Sequence, residues 1–313
     1  MTRGRSPRVL GVHGGALGDV ILFARLLEAL GGSATLVAGG QTARLLAGLG
    51  AVAAARDFES LPLHECFTDT PAERCRLPGL LGPCDRLISC FAAGRADAEA
   101  RLAALCGAAD AAFLPVRPPA EFNGHLLGLW HNLLGLPAPR LEAPAWPVPT
   151  AWRRDAADAL HRAGAEPARP YVVLHPGAGA RQKCWPVERF VALARGLAAD
   201  GWAPVFVLGP VEAERMAAEA RAGLEREFPV LADVSLPVLA GVLASGRAFV
   251  GNDSGPAHLA GGVGAPTLAL FGPTRPEQFA PVGPRVRTLA APGGGMDRLA
   301  LAEVRDGLAE LLR

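Results

Sequence analysis

Residues 249–274 read FVGNDSGPAHLAGGVGAPTLALFGPT. An apolar, strand-like run ends at Val250, and Asp253, Ser254 and Gly255 form a polar turn before a short Ala-rich helical segment and a second apolar run. Strand, turn, helix and strand in this order form the repeating unit of a parallel sheet covered by helices. In such sheets ligands bind beyond the carboxyl ends of the strands. The segment therefore predicts an α/β fold with a binding site at its polar turn.

The rest of the chain repeats the alternation of short apolar runs and helical segments. Val20, Phe23, Leu27 and Leu30 have the spacing of a buried helical face. Further helices are expected at 95–107, 121–135 and about 150–163, and from Pro186 onward. Strands are expected at 8–13, 35–39, 86–90 and 111–116, and at the start of the runs 171–177, 203–210, 247–255 and 266–273. Two consecutive doubly wound domains account for this order.

The length of 313 residues also favours two domains, because a single hydrophobic core seldom grows beyond about 250–300 residues. Residues 136–150 contain five prolines in fifteen positions, which is typical of a stiff linker. We therefore expect an N-terminal domain at 1–148 and a C-terminal domain at 149–313.

Charge and composition exclude several classes of protein. With 31 basic and 30 acidic residues the net charge is +1, so a nucleic-acid partner is not expected. No apolar run approaches the roughly 18 residues of a membrane span, and the first residues lack the apolar stretch of a signal peptide, which predicts a cytoplasmic protein. The six cysteines show no zinc-binding spacing and are interpreted as reduced thiols, mostly in cores. No metal or cofactor is expected.

Lys183 is the only lysine in the chain, and it lies in the loop HPGAGARQKCWP at 175–186. A glycine-rich loop that leads from a strand into a helix offers backbone N–H groups to an anion. A lysine adds a compact point charge with three rotatable donors. The alternative is an ordinary solvent-exposed loop lysine. The glycines, and the fact that every other Lys or Arg position in the chain is arginine, favour the anion site.

Two other groups of polar residues follow predicted strands. Asp253, Ser254 and His258 lie within six positions, and although Asp and Ser can simply cap a helix, their place at a strand's carboxyl end favours a sugar or phosphate site. Asp19 starts the first helix in HGGALGDVI. It either stabilises that helix by about 1 kcal/mol as a cap-like residue or takes a proton from a hydroxyl nucleophile.

Three motifs in order resemble glycosyltransferase family 9, the ADP-heptose:lipopolysaccharide heptosyltransferases. They are G-D-V at the first helix, P-G-x5-K-x-W-P after a strand, and D-S-G-P-x-H followed by F-G-P-T, and the matches span residues 9–281. The resemblance implies a GT-B fold, in which two Rossmann-like domains face a cleft. It also implies that residues 1–148 bind the acceptor, that residues 149–313 bind a nucleotide-sugar donor, and that the sugar is inverted without a required metal.

The resemblance also implies roles for individual residues. Asp19 matches the family's catalytic base, and Glu212, with Glu214 as the nearby alternative, matches a glutamate that holds the nucleotide ribose. The other donor-binding positions are Gly177, Lys183, Asp253, Ser254, Gly255 and His258. The chain departs from the family on the acceptor side, where His13 replaces an arginine and Arg25 lies where a proline within the first helix is usual. His13 and Arg25 are the acceptor-binding residues to test.

The expected function is transfer of a heptose, or a related sugar, from an ADP-sugar to a lipopolysaccharide-core or similar glycan. A lipid-linked acceptor would bring the protein peripherally to the inner face of the inner membrane. One alternative is another GT-B transferase, or an epimerase, that uses a UDP-sugar. A second is a nucleotide-sugar-binding protein with impaired catalysis. An NAD-dependent dehydrogenase is disfavoured because HGGALGD lacks the G-x-G-x-x-G arrangement.

Overall fold

The computed structural model describes residues 7–166, 169–209, 216 and 218–313. The chain divides into two compact units, Met1–Pro139 and Arg140–Arg313, and we call them the first and the second unit. Each unit has a parallel sheet with helices between successive strands, so the expected α/β class is confirmed.

The first unit has a sheet in the order β3-β2-β1-β4-β5, in which every described pairing is parallel. Its strands are β1 (Arg8–Val12), β2 (Ser33–Ala38), β3 (Ala54–Asp57), β4 (Arg86–Ser89) and β5 (Asp110–Phe113). Its helices are α1 (Leu17–Leu30), α2 (Gly40–Gly48), α3 (Leu77–Leu81), α4 (Ala96–Leu105) and α5 (Leu126–Leu133). Helix α1 is buried continuously from Val20 to Leu27, as expected of a helix that is apolar on most of its faces.

The second unit has a sheet in the order β11-β10-β9-β6-β7-β8, and its described pairings are also parallel. Its strands are β6 (Tyr171–His175), β7 (Ala203–Leu208), β8 (Val230–Ala232), β9 (Ala248–Asn252), β10 (Thr267–Phe271) and β11 (Val286–Ala290). Its helices are α6 (Thr150–Arg162), α7 (Val187–Ala199), α8 (Ala218–Glu227), α9 (Leu236–Ser245), α10 (Gly255–Gly262), α11 (Pro276–Phe279) and α12 (Leu301–Leu312). Every residue of β6, β9 and β10 is buried, because helices cover both faces of a parallel sheet.

The sequence predicts every strand that lies inside the two sheets, and also the edge strand β5, with boundaries shifted by a few residues. The strands without an individual prediction are β3, β8 and β11, and all three lie at sheet edges. Their sequences are AARD, VLA and VRTLA. An edge strand is less buried, so it lacks the continuous apolar run that identifies a central parallel strand.

The proline-rich segment packs against the second unit. Trp146 is 5% exposed, and its backbone N–H donates a hydrogen bond of 2.9 Å to the carbonyl oxygen of Gly262. A Cβ atom at Gly262 would lie 2.7 Å from the Trp146 ring, so glycine at this position permits the contact. The division between the units therefore falls at Pro139–Arg140, earlier than the expected boundary near 148.

The thiols behave as ordinary buried groups. Cys66, Cys84, Cys90 and Cys106 are buried and free, as the sequence predicts, and burial raises the pKa of the Cys106 thiol to about 12. Among the helices that the structure describes, none is both long and apolar enough to cross a membrane.

Candidate functional site

The polar turns of the second unit converge because their strands are neighbours. Strands β10, β9 and β6 are adjacent and parallel, so their carboxyl ends lie at one edge of the sheet. The turn after β6 carries Lys183, the turn after β9 carries Asp253, and the turn after β10 carries Thr274. The fold thus joins three segments that are far apart in sequence.

Asp253 is the centre of this cluster, and it is 7% exposed. Its Oδ2 atom lies 2.7 Å from Lys183 Nζ and accepts a second hydrogen bond of 2.7 Å from the Thr274 hydroxyl. On the other side, His258 Nε2 lies 3.9 Å from Asp253 Oδ1. The structure therefore brings together Lys183, Asp253 and His258, three of the residues that the sequence analysis assigned to the donor site.

The charge of Asp253 depends on these neighbours. Burial by itself raises the pKa of the Asp253 carboxyl, but the interactions with His258 and Lys183 more than offset this and hold the pKa far below its usual range. Asp253 is therefore a fixed carboxylate at neutral pH. Lys183 is the cation that this carboxylate holds next to the helix start.

We expect the stabilising effect of Asp253 to be lost in acid. Its folded-state pKa is depressed, so the contribution is complete above the unfolded value of about 3.9 and declines as the pH falls below it, because the unfolded chain then binds a proton that the folded chain does not. The difference between the free energies of unfolding of wild type and Asp253→Asn, measured with urea from pH 7 to pH 3, should stay constant down to about pH 4 and narrow below it. Asp200→Asn, at an exposed position, serves as the control. A difference for Asp253→Asn that does not vary with pH would contradict this account.

Ser254 is the N-cap residue of helix α10 by position, as predicted, but its side chain makes no capping hydrogen bond. The Ser254 hydroxyl donates to the carbonyl oxygen of Asn252 at 2.9 Å, and the Asp253 carboxylate is bound to Lys183. The Ser254 and Asp253 side chains therefore bond to other partners and not to the N–H groups of the helix start. Within the described chain, the backbone N–H groups of Ser254 and Gly255 make no backbone hydrogen bond. They remain as donors at a helix start, where an anion is favoured.

Asn252 is a site residue that the sequence analysis missed. Its side chain is completely buried, and its Oδ1 atom accepts the Trp185 N–H at 2.9 Å. Its Nδ2 atom donates to the carbonyl oxygens of Pro176 and Gly177 at 2.8 Å and 3.3 Å. One amide thus holds both ends of the lysine loop. The only signal in the sequence is its position, between a strand and the polar turn.

The end of the lysine loop is also fixed by a hydrogen bond from Trp185 to the segment that precedes helix α12. Arg181–Lys183 form one turn of 3-10 helix, and the buried Trp185 indole donates to the carbonyl oxygen of Leu299 at 2.9 Å. Helix α7 begins at Val187, with Pro186 as N-cap, so the predicted start at Pro186 is one residue early. Gly177 contributes its carbonyl oxygen to Asn252. Its assignment to donor binding stays a prediction.

A second polar site lies in the first unit, again at the carboxyl ends of parallel strands. A cavity of about 350 Å³ opens there, and Asp19 is one of the residues that line it. The other lining residues are His13, Gly14, Gly15, Phe58, Cys90, Phe91, Val116 and Arg117. The Asp19 side chain lies in the first turn of α1, after the N-cap residue Ala16, and its Oδ1 atom is 3.8 Å from Arg117 Nη1. This geometry leaves the carboxylate facing the cavity.

The two residues assigned to the acceptor side have different surroundings. His13 is 2% exposed, lines the Asp19 cavity and accepts the Gly15 N–H at Nδ1, at 3.0 Å. Burial lowers the pKa of His13 although Asp19 opposes this, so the ring is neutral and carries its proton on Nε2. Arg25 is buried in α1, pairs with Glu28 at 3.0 Å, and is not part of the cavity wall. Only His13 is placed next to Asp19.

Glu212 and its alternative Glu214, which were assigned to the nucleotide ribose, lie outside the described residues.

Comparison with known proteins identifies a family, and the match covers the lysine loop and the Asp253 turn but not the Asp19 motif. Residues 127–298 match the family model described as glycosyltransferase family 9 (heptosyltransferase). Lipopolysaccharide heptosyltransferase 1 of Pseudomonas aeruginosa is 36% identical over 135 residues, which are 43% of this chain and 38% of that protein. Lipopolysaccharide heptosyltransferase 3 of Escherichia coli is 33% identical over 129 residues, 40% of this chain and 37% of that protein. The matched region spans about two fifths of the length of these relatives.

Solved structures resemble the chain over nearly its whole length. A glycosyl transferase family 9 protein from Veillonella parvula superposes with a TM-score of 0.79 at 19% identity, covering 98% of this chain and 97% of that one. The E. coli heptosyltransferase WaaC with ADP superposes with a TM-score of 0.70 at 22% identity, covering 97% of this chain and 99% of that one. At these identities the likeness concerns the fold.

Proposed function

The chain belongs to glycosyltransferase family 9 and has the GT-B fold, and from this premise we propose that it transfers a heptose, or a related sugar, from an ADP-sugar to a lipopolysaccharide-core or similar glycan. One observation carries the proposal: Lys183 is held 2.7 Å from Asp253, next to the start of helix α10. That arrangement holds an ammonium group beside the N–H donors of a helix start, where a diphosphate can bind.

The second unit supplies the donor chemistry in this proposal. As the glycosidic bond breaks, the leaving nucleoside diphosphate gains negative charge on its terminal oxygen. Lys183 and the N–H groups of Ser254 and Gly255 stabilise that charge as preorganised donors. Lys183 leaves the Asp253 carboxylate for the diphosphate, while Asp253 keeps Thr274 as a hydrogen-bond donor. These groups can supply the positive charge that a metal ion provides in other transferases.

The first unit supplies the acceptor chemistry. Asp19 accepts the proton of an acceptor hydroxyl while that oxygen attacks the anomeric carbon of the donor sugar. The bond from this carbon to the diphosphate breaks, its electron pair leaves with the nucleotide, and a new glycosidic bond forms. Attack on the face opposite the leaving group inverts the anomeric centre. The cavity wall that contains Asp19 and Arg117 favours this assignment.

The location of the reaction is part of the proposal. The curated relatives carry names that place them in lipopolysaccharide or lipooligosaccharide synthesis. A lipid-linked acceptor of that kind would be met in the cytoplasm, at the inner face of the inner membrane, by an enzyme that contacts the membrane peripherally.

The nucleotide preference tests the donor assignment. We expect ADP to raise the midpoint of thermal unfolding more than GDP or UDP at equal concentration, since a ligand at 100 times its Kd stabilises the folded protein by about 2.7 kcal/mol. The measurement is a thermal-shift titration with each nucleoside diphosphate, followed by a transfer assay with the ADP-sugar and lipid-free core oligosaccharide. A larger shift with UDP would assign the chain to the UDP-sugar alternative instead.

A further inference from the structure

Two aromatic rings form a wall of the Asp19 cavity. Phe58 and Phe91 contact each other edge to face, with ring centroids 5.3 Å apart and an interplanar angle of 84°. Both line the cavity and both are only partly buried. The proposed transfer chemistry involves neither ring, so the wall needs an explanation of its own.

The backbone fixes Phe91 in place. Phe91 N–H donates to the Ser89 hydroxyl at 3.0 Å, and that hydroxyl donates to the Phe91 carbonyl oxygen at 2.8 Å. The next residue, Ala92, has a φ of 64°, a left-handed conformation that residues other than glycine adopt at a cost. Phe67 packs edge-on against the Phe91 ring at 5.6 Å. The ring is therefore held in position before any ligand arrives.

The position of Phe58 depends on a glycine. Phe58 begins a 3-10 turn directly after β3, and a Cβ atom at Gly14 would lie 2.9 Å from its ring. Glycine at 14 thus allows the ring to approach the loop that leads to Asp19. The aromatic wall and the proposed catalytic carboxylate follow the carboxyl ends of three strands of one parallel sheet, β3, β4 and β1.

The cavity combines two kinds of surface. One part is apolar, formed by the two rings and by Val116, which is 48% exposed. The other part is ionic, with Asp19 and Arg117 separated by 3.8 Å. A volume of about 350 Å³ lies at the small end of the range for ligand sites, which is about 300–1,000 Å³. A single ring-sized ligand with an apolar face and a polar rim fits this description.

A sugar ring has that chemistry. One face of a pyranose presents C–H groups, which carry partial positive charge, and the face of an aromatic ring carries negative charge. The hydroxyls project from the rim, where a carboxylate and a guanidinium can bind them. An acyl chain would place hydrocarbon against the ionic pair Asp19–Arg117, which is costly. The surface chemistry therefore selects a sugar over a lipid tail.

We propose that Phe58 and Phe91 form the stacking subsite for the acceptor, on which the terminal sugar ring lies with its C–H face against the aromatic wall and a hydroxyl toward Asp19. This inference rests on the proposed function and adds to it the two residues that orient the acceptor's terminal sugar. Stacking would fix the ring plane, so that one hydroxyl of several meets the carboxylate.

The test compares three equivalent substitutions. Phe58→Leu and Phe91→Leu remove a ring from the cavity, while Phe67→Leu removes the neighbouring ring, which lies outside it. The probe is lipid-free core oligosaccharide, titrated calorimetrically in the presence and absence of ADP. We expect each cavity variant to raise the oligosaccharide Kd about two- to tenfold, and Phe67→Leu, which removes only a contact that positions the Phe91 ring, to raise it less. The Kd for ADP and the midpoint of thermal unfolding, measured for each variant, show whether the variant is folded.

A second measurement uses wild-type protein alone. In a saturation-transfer NMR experiment, the aromatic protons of the protein are saturated and the signals of the bound oligosaccharide are recorded. Magnetisation should pass most strongly to the C–H protons on one face of the terminal sugar. The subsite is contradicted by an unchanged oligosaccharide Kd in both cavity variants, by an equal loss in Phe67→Leu, by saturation spread evenly over the sugar, or by oligosaccharide that fails to bind. Failure of the proposed donor chemistry would appear separately, as absence of ADP binding to wild type.

Discussion

Replacing Asp19 by asparagine is expected to lower kcat for sugar transfer by about 10²- to 10⁴-fold, the usual contribution of a general base. The amide has nearly the same shape as the carboxylate but cannot accept the acceptor's proton. Asp19 lies in the first unit, so binding of ADP to the second unit should keep its affinity. The measurement is the rate of transfer to core oligosaccharide at saturating donor and acceptor, beside a calorimetric titration with ADP.

Glu28→Gln is the matched control for this variant. Glu28 lies on the same helix α1, makes the same change of charge, and pairs with Arg25 away from the cavity wall. If Glu28→Gln lowers kcat only slightly and Asp19→Asn lowers it strongly, the loss is specific to Asp19 and does not come from removing a negative charge on α1. Full activity in Asp19→Asn would remove Asp19 from the role of base.

The second large effect concerns Lys183. Lys183→Ala is expected to weaken binding of ADP and ADP-sugar about 10- to 100-fold, because a hydrogen bond to a charged group contributes about 1.5–3 kcal/mol. Even Lys183→Arg should impair transfer. The ammonium lies 2.7 Å from Asp253 in a loop whose two ends are tied to Asn252, and a planar guanidinium does not fit the same point. Calorimetric Kd values and kcat for both variants check this.

Arg181→Ala is the control in the same turn of 3-10 helix. Arg181 is exposed, whereas Lys183 is partly buried against Asp253. If donor binding needs only a positively charged loop, Arg181→Ala and Lys183→Ala will weaken ADP binding to a similar degree. Equal ADP affinity in wild type and Lys183→Arg would show that the loop accepts any cation, and the role of a fixed point charge would be wrong.

Much of the fold followed from local patterns. The central strands β6, β9 and β10 are apolar runs that end in turns rich in Gly or Pro. Such strands are buried on both faces, so nearly all of their residues are apolar and the sequence pattern identifies them. The meeting of Lys183, Asp253 and His258 followed from one rule, that parallel strands place their carboxyl ends at the same edge. Pattern and topology therefore sufficed for this cluster.

Other features depended on contacts that no local pattern contains. Asn252 bonds to residues 67 and 76 positions away, so nothing in its own neighbourhood shows that it closes the lysine loop. Trp146 appeared in a proline-rich linker, but its burial against Gly262 places that segment in the second unit. His13 and Arg25 both depart from the family pattern, and the sequence does not distinguish their roles. The structure does, because His13 lines the cavity whereas Arg25 is buried in α1 and paired with Glu28.

The ammonium beside Asp253 is also the only ε-amine among 313 residues. Amine-directed chemistry on this protein is therefore site-directed without any mutagenesis. Reductive methylation with ¹³C-formaldehyde labels one side chain in the molecule, and the α-amine is the only other group that this reaction labels. In a carbon–proton NMR spectrum that single resonance reports directly on what occupies the turn between β6 and α7.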